Sequence, residues 1–338
     1  MDKGIIGLRN RGNTCYLNTS IQCLSNLPLL TQFFITNEHV SDLKNQIKNS
    51  SEDHKKYILL TYEYDKLIKA MWSMTGSIEP KSFHEMIQRY DSYFVGYEQQ
   101  DSQETLSLII DALHEGLKYD SEMTYQGVIE NELDQIMVES IINFRNELSG
   151  KYSKIVDLFF GQYINYVLSF DTKKILSKKF ERFNNLSIPI YGKTLYDSLS
   201  KYFEKEILDD TFFDETSGEK VKAFKQMRMV RVPKYLIIFL KRYGDSFNKL
   251  NNAISFPIDN LDLSNYCNGY ESVSCNMRLL SIGCHIGGLN GGHYYAICRH
   301  INNNWYKYDD NNVSSFDIND NLVSIFKAGY ILIYEKTE

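Results

Sequence analysis

The first third of the chain sets apolar against polar positions at helical spacing. After Cys15, the residues Leu17, Ile21, Leu24 and Leu27 recur at intervals of three and four, which predicts an amphipathic helix closed by Pro28. A second helical pattern runs from about His54 through Leu59, Leu60, Tyr64, Leu67 and Ile68 to Met71. A third follows Asp101, where Leu106, Ile109, Ile110, Leu113 and Leu117 share one face. Asp101 with Glu104 reads there as a capping box, Asp standing in the Ser/Thr position. The charged stretch 118–150 holds one more helix, near 133–148. Past Lys151 the period changes. Residues 159–169 and 183–190 read as strands, the second entering a turn at Gly192. Tyr235 to Leu240 is an unbroken β-prone run, the pattern of a strand covered on both faces. Short strands at 279–286, 294–298, 305–308 and 330–334 follow, separated by Gly and Asn turns. Helices first and strands after predict an α+β fold.

The chain has 338 residues, room for two domains or one large lobed one. With 25 Tyr and 19 Phe it can build a sizeable core. No apolar run approaches the ~20 residues of a membrane span, and the N-terminus lacks the basic-then-apolar order of a signal peptide. A net charge of −6 argues against nucleic acid as the main partner and permits a basic one. The 6 cysteines form no C-x-x-C pair, and none lies between Cys23 and Cys267. They read as reduced thiols of an intracellular protein, in cytoplasm or nucleus, with no membrane partner.

Three constellations carry chemistry. In the first, Gly12-Asn13-Thr14 delivers Cys15 to the start of a helix. Free N–H groups and the helix dipole there favour a thiolate and lower the pKa from about 8.5. Asn10, just upstream, has an amide that could donate to a developing oxyanion. The alternative is a packed core cysteine, as for Cys23. Packing alone needs neither the Gly nor the Asn around Cys15. In the second, the glycines at 287, 288, 291 and 292 precede His293-Tyr294, placing a base on a strand at the edge of a loop. The alternative is an ordinary hairpin turn. In the third, the strand Trp305-Tyr306-Lys307-Tyr308 ends in Asp309 and Asp310. A hairpin would bring Asp309 beside His293, to orient the imidazole through its second nitrogen. The alternative is a pair of solvated turn aspartates.

Together these pieces resemble the ubiquitin-specific proteases, papain-like cysteine proteases that remove ubiquitin. The Cys box G-L-x-N-x-G-N-T-C-Y-x-N stands at 7–18, and the His box G-G-H-Y at 291–294 continues as W-Y-K-Y-D-D at 305–310. Q-Q-D-S-Q-E stands at 99–104, L-S-I-P-I at 186–190, and Y-L-I-I-F-L-K-R-Y at 235–243. The resemblance implies one catalytic domain with a helical thumb (1–150), β-ribbon fingers (161–225) and a β-rich palm (151–160 and 226–338). It implies Cys15 as nucleophile, His293 as general base and acid, Asp309 as orienting carboxylate and Asn10 as oxyanion donor, with Asp310 in a secondary polar role. Gln99, Asp101, Gly292 and Tyr294 would hold the extended tail of ubiquitin, which ends Arg-Leu-Arg-Gly-Gly and suits an acidic channel. Asp101 would also serve as an N-cap. Tyr294 and the loop 288–292 would narrow the slot to a size that only Gly-Gly threads.

The implied substrates are ubiquitin or ubiquitinated proteins, and the family leaves room for an activating protein partner. Rival readings are a protease for a ubiquitin-like modifier, an inactive ubiquitin-binding scaffold and a generic papain-like peptidase. Family members often hold a zinc ion on two C-x-x-C knuckles in the fingers. Here 161–225 contains neither Cys nor His, so no structural zinc and no cofactor are expected. The ribbon would rest on Tyr163, Tyr166, Leu168, Phe180, Phe183, Phe212 and Phe213.

Overall fold

The apolar run at 235 is buried from Tyr235 to Leu240. In a computed structural model that describes residues 3–337 apart from 50, 97, 123, 125, 244–248 and 289–290, it forms the strand Tyr235–Lys241. This strand is flanked by Gly329–Lys336, antiparallel, and Leu186–Pro189, parallel. The sheet continues through Asn276–Gly288, Gly291–Arg299 and Trp305–Asp309 to Asn312–Ser315. Its alternate side chains feed two separate cores. Tyr235, Ile237, Phe239, Ile331 and Ile333 face the N-terminal helices. Leu236, Ile238, Leu240, Leu332 and Tyr334 face the opposite layer, with Leu195 and Leu199 of a helix Leu195–Tyr202 and Ile325 of a helix Leu322–Ala328. A strand with apolar residues on both faces is what such a two-sided position demands.

The helical layer comprises α1 (Cys15–Ser25), α2 (Pro28–Ile35), α3 (Val40–Asn49), α4 (Glu52–Ser73), α5 (Lys81–Tyr90) and α6 (Ser102–Leu117). Every side chain of α1 is buried, because it is wedged between α6 and the strand Gly291–Arg299. Small residues let it approach α6. The Ser20 hydroxyl donates to the Ser102 carbonyl at 3.1 Å, and the Ser102 hydroxyl donates to the Tyr16 carbonyl at 3.1 Å. Pro28 does not close α1. The helix ends at Ser25, and Pro28 opens α2 at its first position, where the missing N–H costs nothing. Asp101 caps α6 through the Gln103 N–H at 2.6 Å, with no return bond from Glu104, so the box is half made.

The later elements depart from the sequence pattern in two places. Residues 154–159 form a short helix, and the expected strand begins at Gly161, running to Ser169. The expected strand at 183–190 is two strands in two sheets, Ile175–Phe183 and Leu186–Pro189, with the break at Asn184 and Asn185. The helix α7 (Glu132–Glu147) is capped by a reciprocal Asn131–Asp134 box and leans on the sheet built from Ile175–Phe183, Gly161–Ser169, Ala223–Arg231 and Glu206–Ile207.

That second sheet has a core of Ile164, Tyr166, Phe180 and Val230 under Ile136 of α7. Tyr163 stacks on Phe183 at 4.3 Å between ring centres. Phe213 lies outside that core: it is 53% exposed, on the hairpin Phe212–Asp214 with Glu219–Val221, which forms its own two-stranded ladder. With no Cys or His from 161 to 225, these strands offer no zinc ligand set. Chelator is expected to leave the melting temperature unchanged, and elemental analysis to find no stoichiometric zinc. One zinc per chain whose removal unfolds the protein would contradict this.

Candidate active site

The Cys-bearing turn is shaped by backbone, not by packing. Gly12 has φ +95° and Asn13 φ +55°, two successive left-handed residues, and Cys15 then takes the first helical position of α1. Asn10 fastens the turn from inside: its Oδ1 accepts from Gly12 N at 2.9 Å and from Thr14 N at 3.1 Å. Gly7 is needed for a different reason. A Cβ there would sit 2.3 Å from the Asn311 carbonyl oxygen. That close approach lets Leu8 N donate to the Asp310 carbonyl at 2.8 Å.

Asp310, at φ +52°, is thereby pressed against the Cys turn. Its Oδ2 accepts from Asn10 Nδ2 at 2.9 Å and its Oδ1 from Asn18 Nδ2 at 2.8 Å. Asn18 lies one turn along α1 from Cys15, and reading the residues singly missed it. Asp309 faces the other way. Its Oδ1 pairs with His293 Nε2 at 2.6 Å, and its Oδ2 accepts from Lys307 Nζ at 2.7 Å. The adjacent strands bring this about: Ala296 pairs with Tyr308, so Asp309 returns to within one diagonal of His293. Burial pushes the Asp309 carboxyl up, but the bonds from Lys307 and His293 outweigh it and hold the group below the ordinary carboxylate range.

Cys15 does not behave as the helix-dipole argument expects. It is only 2% exposed, and burial pushes the thiol above its ordinary value. The backbone N–H of Tyr294 opposes that rise, the Asp310 carboxylate adds to it, and the N–H groups of Tyr16 and Cys15 oppose it. Desolvation of the charged form outweighs the helix terminus. The Tyr294 N–H that meets the sulfur belongs to the residue that follows His293.

The residues expected to hold a tail lie across the cleft from one another. Gln99 Nε2 donates to the Gly292 carbonyl at 2.8 Å, and Gly292 N donates to Gln99 Oε1 at 2.9 Å. Besides capping α6, Asp101 accepts from the Tyr330 hydroxyl at 2.7 Å, so both its oxygens are engaged. Burial raises its pKa. Tyr294 is buried with its ring between His285 and Tyr330. Of the loop expected to narrow the slot, Leu289 and Asn290 lie outside the described residues, as does Tyr97. A hollow of about 540 Å³ is lined by Asp91, Glu104 and Asp111 with Tyr90, Tyr93 and Leu108.

His285 was not anticipated. It pairs with Tyr294 across the sheet, and its Nδ1 meets the Tyr243 hydroxyl and Lys249 Nζ, both at 2.9 Å. Lys249 can only donate, so the ring proton sits on Nε2. Burial, with Lys249 and His293 nearby, drops its pKa to about 4. Burial likewise takes His114, against Ser153, to about 4. Both pKa values are depressed on folding, so the unfolded chain binds more protons between about pH 6.5 and 4, and stability falls as pH falls through that window. Each imidazole is expected to remove on the order of 1 kcal/mol between pH 7.5 and 5.5. Thermal melts should show the decline, shallower in His114→Phe; melts that rise on acidification would contradict it.

His293, Asp309 and Asp310 form a cluster of potential metal-ligand side chains, their ligand atoms within 4.8 Å of one another. Two of the three are already committed, Asp310 to Asn10 and Asn18 and Asp309 to Lys307 and the imidazole, so the set does not fit a cation. Among the described residues, no helix is long and apolar enough to cross a membrane.

The family model described as "Ubiquitin carboxyl-terminal hydrolase" matches residues 6–334. The chain is 31% identical over 348 residues to "Ubiquitin carboxyl-terminal hydrolase Usp2" of Drosophila melanogaster, covering 99% of this chain and 35% of that protein. It is 31% identical over 353 residues to "Ubiquitin carboxyl-terminal hydrolase 2" of Homo sapiens, covering 98% of this chain and 55% of that one. The chain thus spans about a third to just over half of the length of these curated relatives. Among solved structures, a SAGA DUB module of Ubp8, Sgf11, Sus1 and Sgf73 bound to monoubiquitin is similar with a TM-score of 0.77 at 22% identity, over 100% of this chain and 70% of that chain. The same module bound to ubiquitin aldehyde is similar with a TM-score of 0.76 at 23% identity, again over 100% of this chain and 70% of that one. This likeness fixes the fold as the α+β deubiquitinase fold.

Proposed function

Because the chain belongs to the ubiquitin carboxyl-terminal hydrolase family, we propose that it is a thiol-dependent deubiquitinase, hydrolysing the isopeptide or peptide bond after the C-terminal Gly of ubiquitin. The observation that carries this reading is the 2.6 Å His293–Asp309 pair, one residue before the Tyr294 N–H that meets the Cys15 sulfur at the start of a buried helix. Asp309 holds His293 through Nε2 and leaves Nδ1 for the thiol. Since the Cys15 thiol is held above its ordinary pKa, His293 removes its proton as the sulfur attacks. The oxyanion forms beside the N–H of Cys15. One amide hydrogen of Asn10 is taken by Asp310, and the other is free to donate to that oxygen. Asp310 is a positioning residue in this scheme. His293 then protonates the leaving amine, a thioester remains on Cys15, and a water activated by His293 releases it.

Gln99, Asp101, Gly292 and Tyr294 line the route of the tail, and the hollow at Asp91, Glu104 and Asp111 supplies negative charge for its arginines. The division into thumb (1–150), fingers (161–225) and palm (151–160 and 226–338) belongs to the same reading, as do an intracellular site of action in cytoplasm or nucleus, the absence of a cofactor, and room for an activating partner. Hydrolysis of a fluorogenic ubiquitin C-terminal amide is the test. Turnover supports the reading. Tight binding without turnover would make the chain a scaffold, and preference for another Gly-Gly modifier would reassign the substrate.

A further inference from the structure

The strand Gly291–Arg299 has one open edge beside the site. Its ladder with Trp305–Asp309 reaches only as far as Ala296 and Tyr308, four residues short of Gly292. On its other side Gly292 pairs with Gly287. Both the N–H and the C=O of Gly292 go to Gln99, so this pair is one of the non-hydrogen-bonded positions of the antiparallel ladder, and both groups point outward. Two residues on, the pleat turns the Tyr294 N–H the same way, where it meets the Cys15 sulfur. One edge therefore presents Cys15 at one end and the outward-pointing N–H and C=O of Gly292 at the other, about 7 Å apart. This is the spacing of one residue pair of an extended chain whose terminal carbonyl lies at the sulfur.

Resting on the deubiquitinase reading, in which the substrate's tail runs along the Gly292 edge, we propose that the Gln99 carboxamide occupies this edge in the resting enzyme as a surrogate peptide group that the tail displaces. The carboxamide presents one acceptor and one donor, as a peptide group does, and takes both Gly292 positions at 2.9 and 2.8 Å. Gln99 is exposed on the segment before α6, and its side chain makes no further hydrogen bond among the described residues. Asp101, two residues on, stays anchored by Tyr330 and the α6 cap, so Gln99 can leave without unseating the helix. Position 292 must be glycine for the edge to exist, since a Cβ there would lie 2.2 Å from His285 Nε2 and 2.7 Å from the Ile286 carbonyl oxygen. Substrate entry thus exchanges two side-chain bonds for two backbone bonds of the same kind. Selection falls on the shape and reach of the tail.

The test uses the full chain with Gln99→Ala and Gln99→Glu, the latter keeping the acceptor for Gly292 N–H and losing the donor for its carbonyl. In the free enzyme labelled with ¹⁵N-glycine, amide exchange at Gly292 is expected to quicken about fivefold in Gln99→Ala, the scale of one net hydrogen bond, and by less in Gln99→Glu. Ubiquitin aldehyde should restore protection at Gly292 in both variants. With fluorogenic ubiquitin, KM should fall by a few-fold in Gln99→Ala, with a smaller change in kcat. Unchanged exchange at Gly292 in the free variant overturns the latch. A raised KM with restored protection absent overturns displacement and makes Gln99 a lasting contact to the tail. The exchange arm is read on free enzyme, so it decides the latch even if ubiquitin proves not to be the substrate.

Discussion

Replacing Cys15 by Ala is expected to abolish turnover of ubiquitin conjugates, by roughly 10⁴-fold or more in kcat, while leaving ubiquitin affinity within a few-fold of wild type. Without the sulfur there is no thioester, and water held by His293 is a poor substitute nucleophile. The other cysteines cannot take over. Cys23, Cys267, Cys275, Cys284 and Cys298 are all buried, and none stands at a helix start beside the imidazole. Cys23, although on the same helix, points into the core, where the hydrogen bond with the Cys298 thiol and then burial push its pKa well up. Affinity survives because contact with a folded modifier would spread over thumb, palm and fingers. Single-turnover hydrolysis and a binding titration on the same sample separate the two effects. A variant that still hydrolyses conjugates at a comparable rate would remove Cys15 from the mechanism.

Asp309→Ala is expected to cost more than Asp310→Ala. In a serine-protease triad, loss of the orienting carboxylate costs up to about 10⁴ in kcat. Here the cost should be nearer 10²–10³, because a thiolate is the better nucleophile once formed. Asp309 is the hydrogen-bond partner of His293 at 2.6 Å and also anchors Lys307. Its loss frees the imidazole to rotate. Asp310 acts one step further away, fixing Asn10 and Asn18, and its carboxylate also disfavours the thiolate. Asp310→Ala should therefore weaken oxyanion stabilisation, about 10-fold or more in kcat, while making the thiol easier to ionise. The pH profile of alkylation by a small electrophile reads the second effect: its acid limb should move to lower pH in Asp310→Ala. A larger kcat loss in Asp310→Ala than in Asp309→Ala would reverse the two roles.

The chemistry-bearing residues were legible because each sits in a local pattern that packing does not require. The glycine turn before Cys15, the glycines before His293 and the strand ending in Asp309-Asp310 can all be read in sequence. The strand Tyr235–Lys241 was legible for the opposite reason, since six apolar β-prone residues in succession suit a strand covered on both faces. Features that depend on distant contacts were hidden. The direction of the Cys15 pKa follows from tertiary burial of α1, which no local motif encodes. Asp101 meets Tyr330 across 229 positions, and Asn18 meets Asp310 across 292. The strand Ile175–Phe183 was mistaken because its only deeply buried residues are Phe180 and Phe183, three apart, with lysines between the exposed positions. The helix α5 was readable and missed: Phe83, Met86, Ile87 and Tyr90 stand at intervals of three, one and three, on one face.

The central claim is that Cys15 attacks the carbonyl of the last Gly of ubiquitin. It is tested most directly by treating the folded chain with ubiquitin bearing a C-terminal electrophile and locating the adduct by peptide mapping. One ubiquitin per chain, attached at Cys15 and absent in Cys15→Ala or when the chain is denatured before treatment, is the expected result. Labelling at any other cysteine, or no adduct under conditions where a small alkylating agent reaches Cys15, would contradict it.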